Sequence, residues 1–450
     1  MNYSATRLLE LTSRELDRFR ANHAESAVLH ERARISLLNR VPMQWMVHWA
    51  GGFPIYVAHA EGGQLRDVDG HEYVDFCLGD TAAMFGHSPP ATVAAITKQL
   101  SSGMTFMLPT PDALVVGEQL SAHFGVDSWQ FTLSATDANR AALRYARAIT
   151  GRNKILVFNH CYHGSVDETF ATLDGDKIVA PVTSLGPPVD PAVTTRVVEF
   201  NDVPALSEAL EKGDVAAVLT EPALTNVGIV LPGEGFHARL RDLTRRHGTL
   251  LIIDETHTLS AGLGGCTRVY GLEPDIVVVG KAIAGGVPAG AYGFSQECSR
   301  KAASVTSMVN TDSPGVGGTL AANALSLAAM RATLADVLTA KAFESSIALA
   351  TRWTQGVASL ISEHGLAWHV TQLGCRSEYH FAPQPFTTGA EANAAMDHPL
   401  ERLLRLYSLN RGFVLTPFHN MALFCPAHSL QDVDRHCEIM DDVLSELFKR

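Results

Sequence analysis

The stretch "DIVVVGKAIAGG", residues 275–286, carries an apolar run straight into Lys281 and then turns through small residues. An ammonium buried without a partner costs several kcal/mol or gives up its proton. A lysine placed there reaches water, or it meets a group that reacts with an amine. Other apolar runs end in the same manner: Ser134 follows "QFTL", Glu221 follows "AAVLT", and Asp254 with Glu255 follow "LLII". Four runs therefore end on groups that can bind, ionise or attack.

Those groups need a scaffold that gathers them. "WQFTL" (129–133), "KILVFN" (154–159), "VAAVLTEP" (215–222), "LLIIDE" (250–255), "DIVVVGK" (275–281) and "AYGFS" (291–295) read as strands. Helix-like segments such as "ANRAALRYARAITG" and "FHARLRDLTRRHG" lie between them. This alternation predicts an α/β fold with a mainly parallel sheet covered by helices, its strands buried on both faces. Ligands of such sheets sit at the carboxyl ends of the strands, so the four polar groups are expected along one edge.

The flanks read differently. Residues 6–40 have the apolar spacing of an amphipathic helix, and "GGFPIYVAHAEGGQLRDVDGHEYVDF" alternates like short strands turning at Asp69-Gly70. An Ala/Leu-rich helix, "LAANALSLAAMRATLADVL", precedes a mixed tail that closes on "DVDRHCEIMDDVLSELFKR", and "PQPFTTGAEANAAMDHP" (383–399) reads as an exposed loop. The predicted division is an N-terminal segment over 1–75, a large domain over 76–330 and a C-terminal domain over 331–450. The first and last are expected to form one smaller α+β domain.

Bulk composition sets limits. Apolar residues at 46% and charged residues at 18% provide a core, and 35 basic against 47 acidic residues argue against nucleic acid or an anionic membrane as partner. Seven scattered cysteines without a CxxC pair suit reduced thiols rather than disulfides or a zinc site, so no metal is expected. The first residues lack the apolar core of a signal peptide, and no run approaches the ~20 apolar residues of a membrane span. A soluble, cytoplasmic protein is the expectation.

A phosphorylated pyridine aldehyde would use Lys281, Asp254 and the helix start at Ser134, while Glu221 before Pro222 reads as orienting its neighbours. Lys281 supplies the amine for a Schiff base, and Asp254 the carboxylate that keeps a pyridine nitrogen protonated. In "SATDANRAALRYA", Ser134, Ala135 and Thr136 stand at a helix start, where free N–H groups favour phosphate. Thr136-Asp137 is also a helix-capping pattern that draws on the same donors. In "FNHCYHGS", Tyr162 follows a strand and could stack on the ring. His160, His163 and His257 read as structural or supporting residues, with His163 expected near the cofactor. No GxxxxGK[ST] or GxGxxG stretch points to a nucleotide.

From about residue 50 onward the chain is similar to the class III pyridoxal-phosphate aminotransferases of fold type I, in particular the glutamate-1-semialdehyde aminomutase-like branch. The likeness lies in an ordered set: "AEGGQLRDVDGHEYVDF", "FGHSPP", "SATDANRAALRYAR", "CYHG", "EPALTNVGIVLP", "IIDETHT", "GKAIAGGVPAGAYG" and "GGTLAANALSLAA". The resemblance implies pyridoxal 5'-phosphate as cofactor, Lys281, Asp254 and Tyr162 as catalytic residues, and Ser134, Ala135 and Thr136 at the phosphate. It further places His163, Glu221, Asn226, Thr256, Gly318 and Thr319 at the cofactor. Thr319 matches the threonine that reaches the neighbouring subunit's phosphate, which implies a homodimer with shared sites.

Three departures stand out. Ala135 replaces the usual glycine of the phosphate turn, and Thr256 the usual valine. Where relatives often carry a carboxylate-binding arginine, this chain has "VPMQWMVHW", which makes Trp45 and His48 the expected substrate contacts. Arg376, in "LGCRSEYHF", is an alternative anionic anchor. The implied activity is amino transfer between a small amino compound and a keto or aldehyde acceptor. An aminomutase, or an ammonia- or phospho-lyase acting on a compound such as an amino-phosphonate or amino-phosphate, is the alternative. A non-catalytic protein that keeps the fold is disfavoured by the presence of Lys281, Asp254 and Thr319 together.

Overall fold

The computed structural model describes residues 3–182, 184–307 and 315–448. The chain divides into two compact units, one of Met1–Ser88, Lys341–Pro385 and Ala395–Arg450, the other of Pro89–Ala340 and Phe386–Ala394.

The second unit is built on a seven-stranded sheet. In spatial order the strands are Ser128–Thr132, Gly290–Phe294, Ile276–Gly280, Leu250–Asp254, Val215–Thr220, Lys154–Phe158 and Thr195–Val198. Gly290–Phe294 runs antiparallel to both neighbours, and the remaining pairs are parallel. The six other strands therefore deliver their carboxyl ends to one edge. Every residue of the four central strands from Gly290–Phe294 to Val215–Thr220 is buried, as their unbroken apolar runs require.

Helix Ala135–Thr150 shows how the sequence covers this sheet. Ser134 caps it, its hydroxyl accepting the Asp137 N–H at 3.2 Å, and Gly151 ends it in the left-handed region at φ 67°. Its buried face is nearly all alanine (Ala138, Ala141, Ala142, Ala146), which lets the backbone lie close to Val157, Ile252, Val278 and Tyr292.

The first unit carries its own core. Trp353, Val357, Tyr379, Phe381, Tyr407, Phe413, Phe424 and Leu444 form one cluster with Leu8 and Leu11 of the N-terminal helix. The Asp69-Gly70 hairpin is present, pairing Gln64–Asp67 with Glu72–Asp75. A second, three-stranded sheet of His369–Leu373, Arg376–His380 and Met421–Leu423 stands beside the helices Ala340–Glu363 and Leu430–Phe448 in sequence.

Two local expectations are corrected. The helix expected over 6–40 breaks at His23 into Ala5–Asn22 and Ala24–Ala33. The cause is distant in sequence: the Asp69 carboxylate accepts the Glu25 and Ser26 N–H groups at 2.7 and 3.1 Å, and so starts a new helix. The expected loop at 383–399 contains helix Gly389–Ala394. There Glu391 accepts the Thr387 N–H at 2.8 Å while Thr388 accepts the Glu391 N–H at 3.2 Å, a reciprocal cap.

Trp353 is wholly buried and donates its indole N–H to His436 Nδ1 at 3.1 Å. Trp353→Ala is expected to cost about 3–5 kcal/mol, read as an earlier urea midpoint by circular dichroism. A midpoint within error of the parent would contradict this packing.

Candidate active site

The site lies on the carboxyl edge of the seven-stranded sheet, and Asp254 is its most constrained group. Asp254 is the last residue of its strand and is 3% exposed. Its Oδ2 accepts the Asn139 side-chain N–H at 2.8 Å and the His163 Nδ1–H at 2.9 Å. Its Oδ1 accepts the Thr256 backbone N–H at 3.0 Å. Burial raises a carboxyl, yet the His163 hydrogen bond and charge, with Thr256 and Asn139, bring Asp254 down to about 2. Burial also works against a charged His163, which the adjacent Cys161 and Asp254 outweigh, carrying the imidazole up to about 10. Each member of the pair therefore favours the charged form of the other.

Lys281 follows the adjacent strand, whose Val278 is registered against Asp254. Its backbone is left-handed, φ 50°, a conformation that costs a non-glycine residue roughly 1–3 kcal/mol and is found where surrounding structure imposes it. Lys281 Nζ lies 2.8 Å from His257 Nε2.

Ser134, Ala135 and Thr136 open the helix beside this edge. Ala135 and Thr136 are in its first turn, whose N–H groups have no intrahelical acceptor. Two glycines allow this approach. A Cβ on Gly280 would lie 2.9 Å from Ala135 Cβ, and one on Gly164 (φ 78°) would overlap the Thr136 hydroxyl. Thr136 Oγ1 in turn accepts the Ser165 N–H at 3.1 Å. The Ala135 methyl is thus packed on the strand side at Gly280.

The other expected residues take varied places. Tyr162 is half-buried, its ring centre 6.5 Å from that of Phe170. Glu221 turns into its own loop, accepting the Thr225 hydroxyl at 2.5 Å and backbone N–H at 3.2 Å, and burial pushes it up to about 7. Asn226 donates to the His160 carbonyl at 2.9 Å. Thr256 is buried, and Gly318 and Thr319 are exposed, lining a cavity of about 400 Å³ with Asp137, Arg140 and Arg144. Trp45 and His48 lie on the exposed turn Gln44–His48 of the first unit, with Trp45 5.4 Å from the Phe418 ring. Arg376, also in the first unit, is fully buried and donates to Thr81 at 2.8 Å.

Asp254 and Glu255 divide their work. Glu255 faces the other way and accepts the Thr258 and Thr267 hydroxyls and the Cys266 and Thr267 N–H groups, which fixes the following loop. Asn139 is the residue that sequence reasoning passed over; its one signal was a lone amide on an alanine face.

These groups fit pyridoxal phosphate. The edge offers an amine, a carboxylate held ionised, and the first-turn N–H groups of a helix. Three buried polar atoms on the partners of Asp254, Asn139 Oδ1, His163 Nε2 and Thr256 Oγ1, have no hydrogen-bond partner among the described residues, which suits a polar ligand.

Comparison with known proteins agrees. The family described as Aminotransferase class-III matches residues 46–436. A glutamate-1-semialdehyde 2,1-aminomutase of Desulfitobacterium hafniense (strain Y51) is 34% identical, with 88% of this chain and 92% of that protein covered. The crystal structure of a glutamate-1-semialdehyde-aminomutase from Pseudomonas aeruginosa PAO1 is 48% identical with TM-score 0.97, covering 99% of this chain and 100% of that one. A lysine-to-alanine variant of the Pseudomonas aeruginosa PAO1 enzyme, solved in complex with PMP, has the same identity, TM-score and coverage. The chain belongs to the class-III aminotransferase family. It is a pyridoxal-phosphate-dependent enzyme of fold type I.

The pairing of Asp254 with His163 makes a pH prediction. A depressed carboxyl stabilises the fold above its unfolded value of ~3.9 and loses that support as pH falls through about 2. A raised imidazole stabilises below its unfolded value of ~6.5 and loses that support as pH rises through about 10. His163→Ala should therefore lower the melting temperature more near pH ~6 than near pH ~10.5. Equal losses at both would contradict the pairing.

Proposed function

We propose that this enzyme moves an amino group from a small amino compound to a keto or aldehyde acceptor, with Lys281 as the covalent anchor of the cofactor. The observation that carries the reading is the pairing of two neighbouring strand tips. One ends on a buried, triply hydrogen-bonded carboxylate, and the other leads into a lysine in a strained backbone conformation.

When bound, pyridoxal phosphate supplies an aldehyde that captures amines and a ring that draws electrons from the carbon beside the captured nitrogen. Asp254 would hold the proton on the ring nitrogen, since its own low proton affinity keeps it anionic. The N–H groups of Ala135 and Thr136 would bind the phosphate, and Tyr162 and Thr256 would flank the ring. Lys281 would hold the cofactor covalently, and its Nζ, when free, would act as the general base that takes and returns the proton at the substrate carbon. Glu221, Asn226 and His163 orient the loops that present these groups. Thr319, next to Gly318, would reach the phosphate held by a second copy, and the working form would then be a homodimer with shared sites. Trp45, His48 and Arg376 are proposed as determinants of substrate choice.

A second reading is an aminomutase, in which donor and acceptor carbons belong to one molecule. The 34% and 48% identities to proteins bearing that name favour it. A single amino substrate supplied without acceptor separates the readings. A transferase yields one equivalent of carbonyl product per site and stops, a mutase turns over to an isomer, and sustained ammonia release marks a lyase.

Lys281→Ala should lose the visible absorbance of covalently held cofactor and at least about 10³-fold in turnover. An unchanged spectrum would remove Lys281 from the assigned role.

A further inference from the structure

The loop after Asp254 carries a histidine that the reactions above do not use. His257 Nε2 lies 2.8 Å from Lys281 Nζ, the atom on which the proposed covalent chemistry turns.

Both residues are held by their backbones. On one side Thr256 is tied to Asp254 at 3.0 Å, and Thr258 to Glu255 at 2.5 Å. Glu255 also accepts from the Cys266 N–H at 3.1 Å and the Thr267 hydroxyl at 2.6 Å, so the loop carrying His257 is anchored to the next helix. The Ser260 N–H closes the turn onto the His257 carbonyl at 3.2 Å. On the other side Lys281 is fixed in the left-handed region directly after a fully buried strand. The contact joins two anchored segments.

Proton counting gives the contact two states. The 2.8 Å contact serves either protonation arrangement: an ammonium donates to a lone pair on His257 Nε2, with the ring hydrogen on Nδ1, and a free amine accepts from an imidazolium Nε2–H. Transfer of one proton along that line breaks an N–H bond at Nζ and forms one at Nε2. The products are a free amine and an imidazolium. The pair carries one positive charge before and after, so the switch brings no new ion into a partly buried place.

We propose that His257 is the proton partner of Lys281: its Nε2 takes the ammonium proton, freeing the Nζ electron pair for attack on an aldehyde, and returns the proton when the lysine is displaced. This rests on Lys281 being the covalent residue. His257 thereby becomes a catalytic residue in contact with the reacting nitrogen. His163 has a different task, since it is bound to Asp254.

The test measures covalent attachment rather than turnover. Full-length protein stripped of cofactor is mixed with pyridoxal phosphate, and growth of the visible band is followed in the parent, His257→Gln and His257→Ala. Borohydride reduction and peptide mass spectrometry then locate the pyridoxyl group. The expected result is full final occupancy at Lys281 in all three, with attachment about 10²-fold slower in both variants. Added imidazole speeds His257→Ala and leaves His257→Gln slow, because the glutamine fills the space without exchanging a proton. Two results overturn the inference: variant rates within about twofold of the parent, or a full rate in His257→Gln beside a slow His257→Ala, which would reduce the role to packing and hydrogen bonding. A parent protein that carries no pyridoxyl at Lys281 overturns the covalent assignment itself, and this inference with it.

Discussion

A buried carboxylate must either take up a proton or be surrounded by donors, and Asp254 is surrounded. Hydrogen bonds to a charged group are worth roughly 1.5–3 kcal/mol each, and leaving a buried charge with too few of them costs more. Asn139 comes from the first turns of a helix, His163 from the loop after one strand, and Thr256 from the residues after Asp254 itself. Three elements are therefore placed by the need to satisfy one anion. The same elements bring Ser134, Ala135 and Thr136, the Cys161–His163 loop and the 256–258 turn to the sheet edge.

The sheet makes this economical. Parallel strands send their carboxyl ends the same way, so each chain passage can leave a polar group at one edge without exposing the apolar strand behind it. The single antiparallel strand, Gly290–Phe294, begins at that edge with a glycine registered against Gly280 and Thr132, where a Cβ would overlap the Ser134 carbonyl at the helix start. Lys281 pays for its position in backbone strain, and the buried strand before it supplies the rigidity that holds the strain in place.

Much of this was legible in the residues. The apolar runs ending at Thr220, Asp254 and Gly280 became fully buried strands, the run ending at Thr132 became a partly exposed edge strand, and their polar successors fell on one edge. Helix ends followed local chemistry, as at Ser134 and Gly151. The break at His23 was not legible, because the carboxylate that causes it belongs to Asp69, in a different element. The helix at Gly389–Ala394 did have a local mark, Thr388 three residues before Glu391, which the surrounding loop-like composition obscured. Asn139 and His257 show the remaining limit. Their residue types were visible, but their partners, Asp254 and Lys281, are 115 and 24 positions away and come within reach only when the sheet has formed.

The account depends on Asp254 remaining an anion opposite a protonated pyridine. The ¹⁵N chemical shift of the ring nitrogen, measured on the enzyme loaded with ¹⁵N-labelled pyridoxal phosphate, reports that proton directly. A pyridinium shift in the parent, replaced by a neutral-pyridine shift in Asp254→Asn, is the predicted result. A neutral ring nitrogen in the parent enzyme would contradict it.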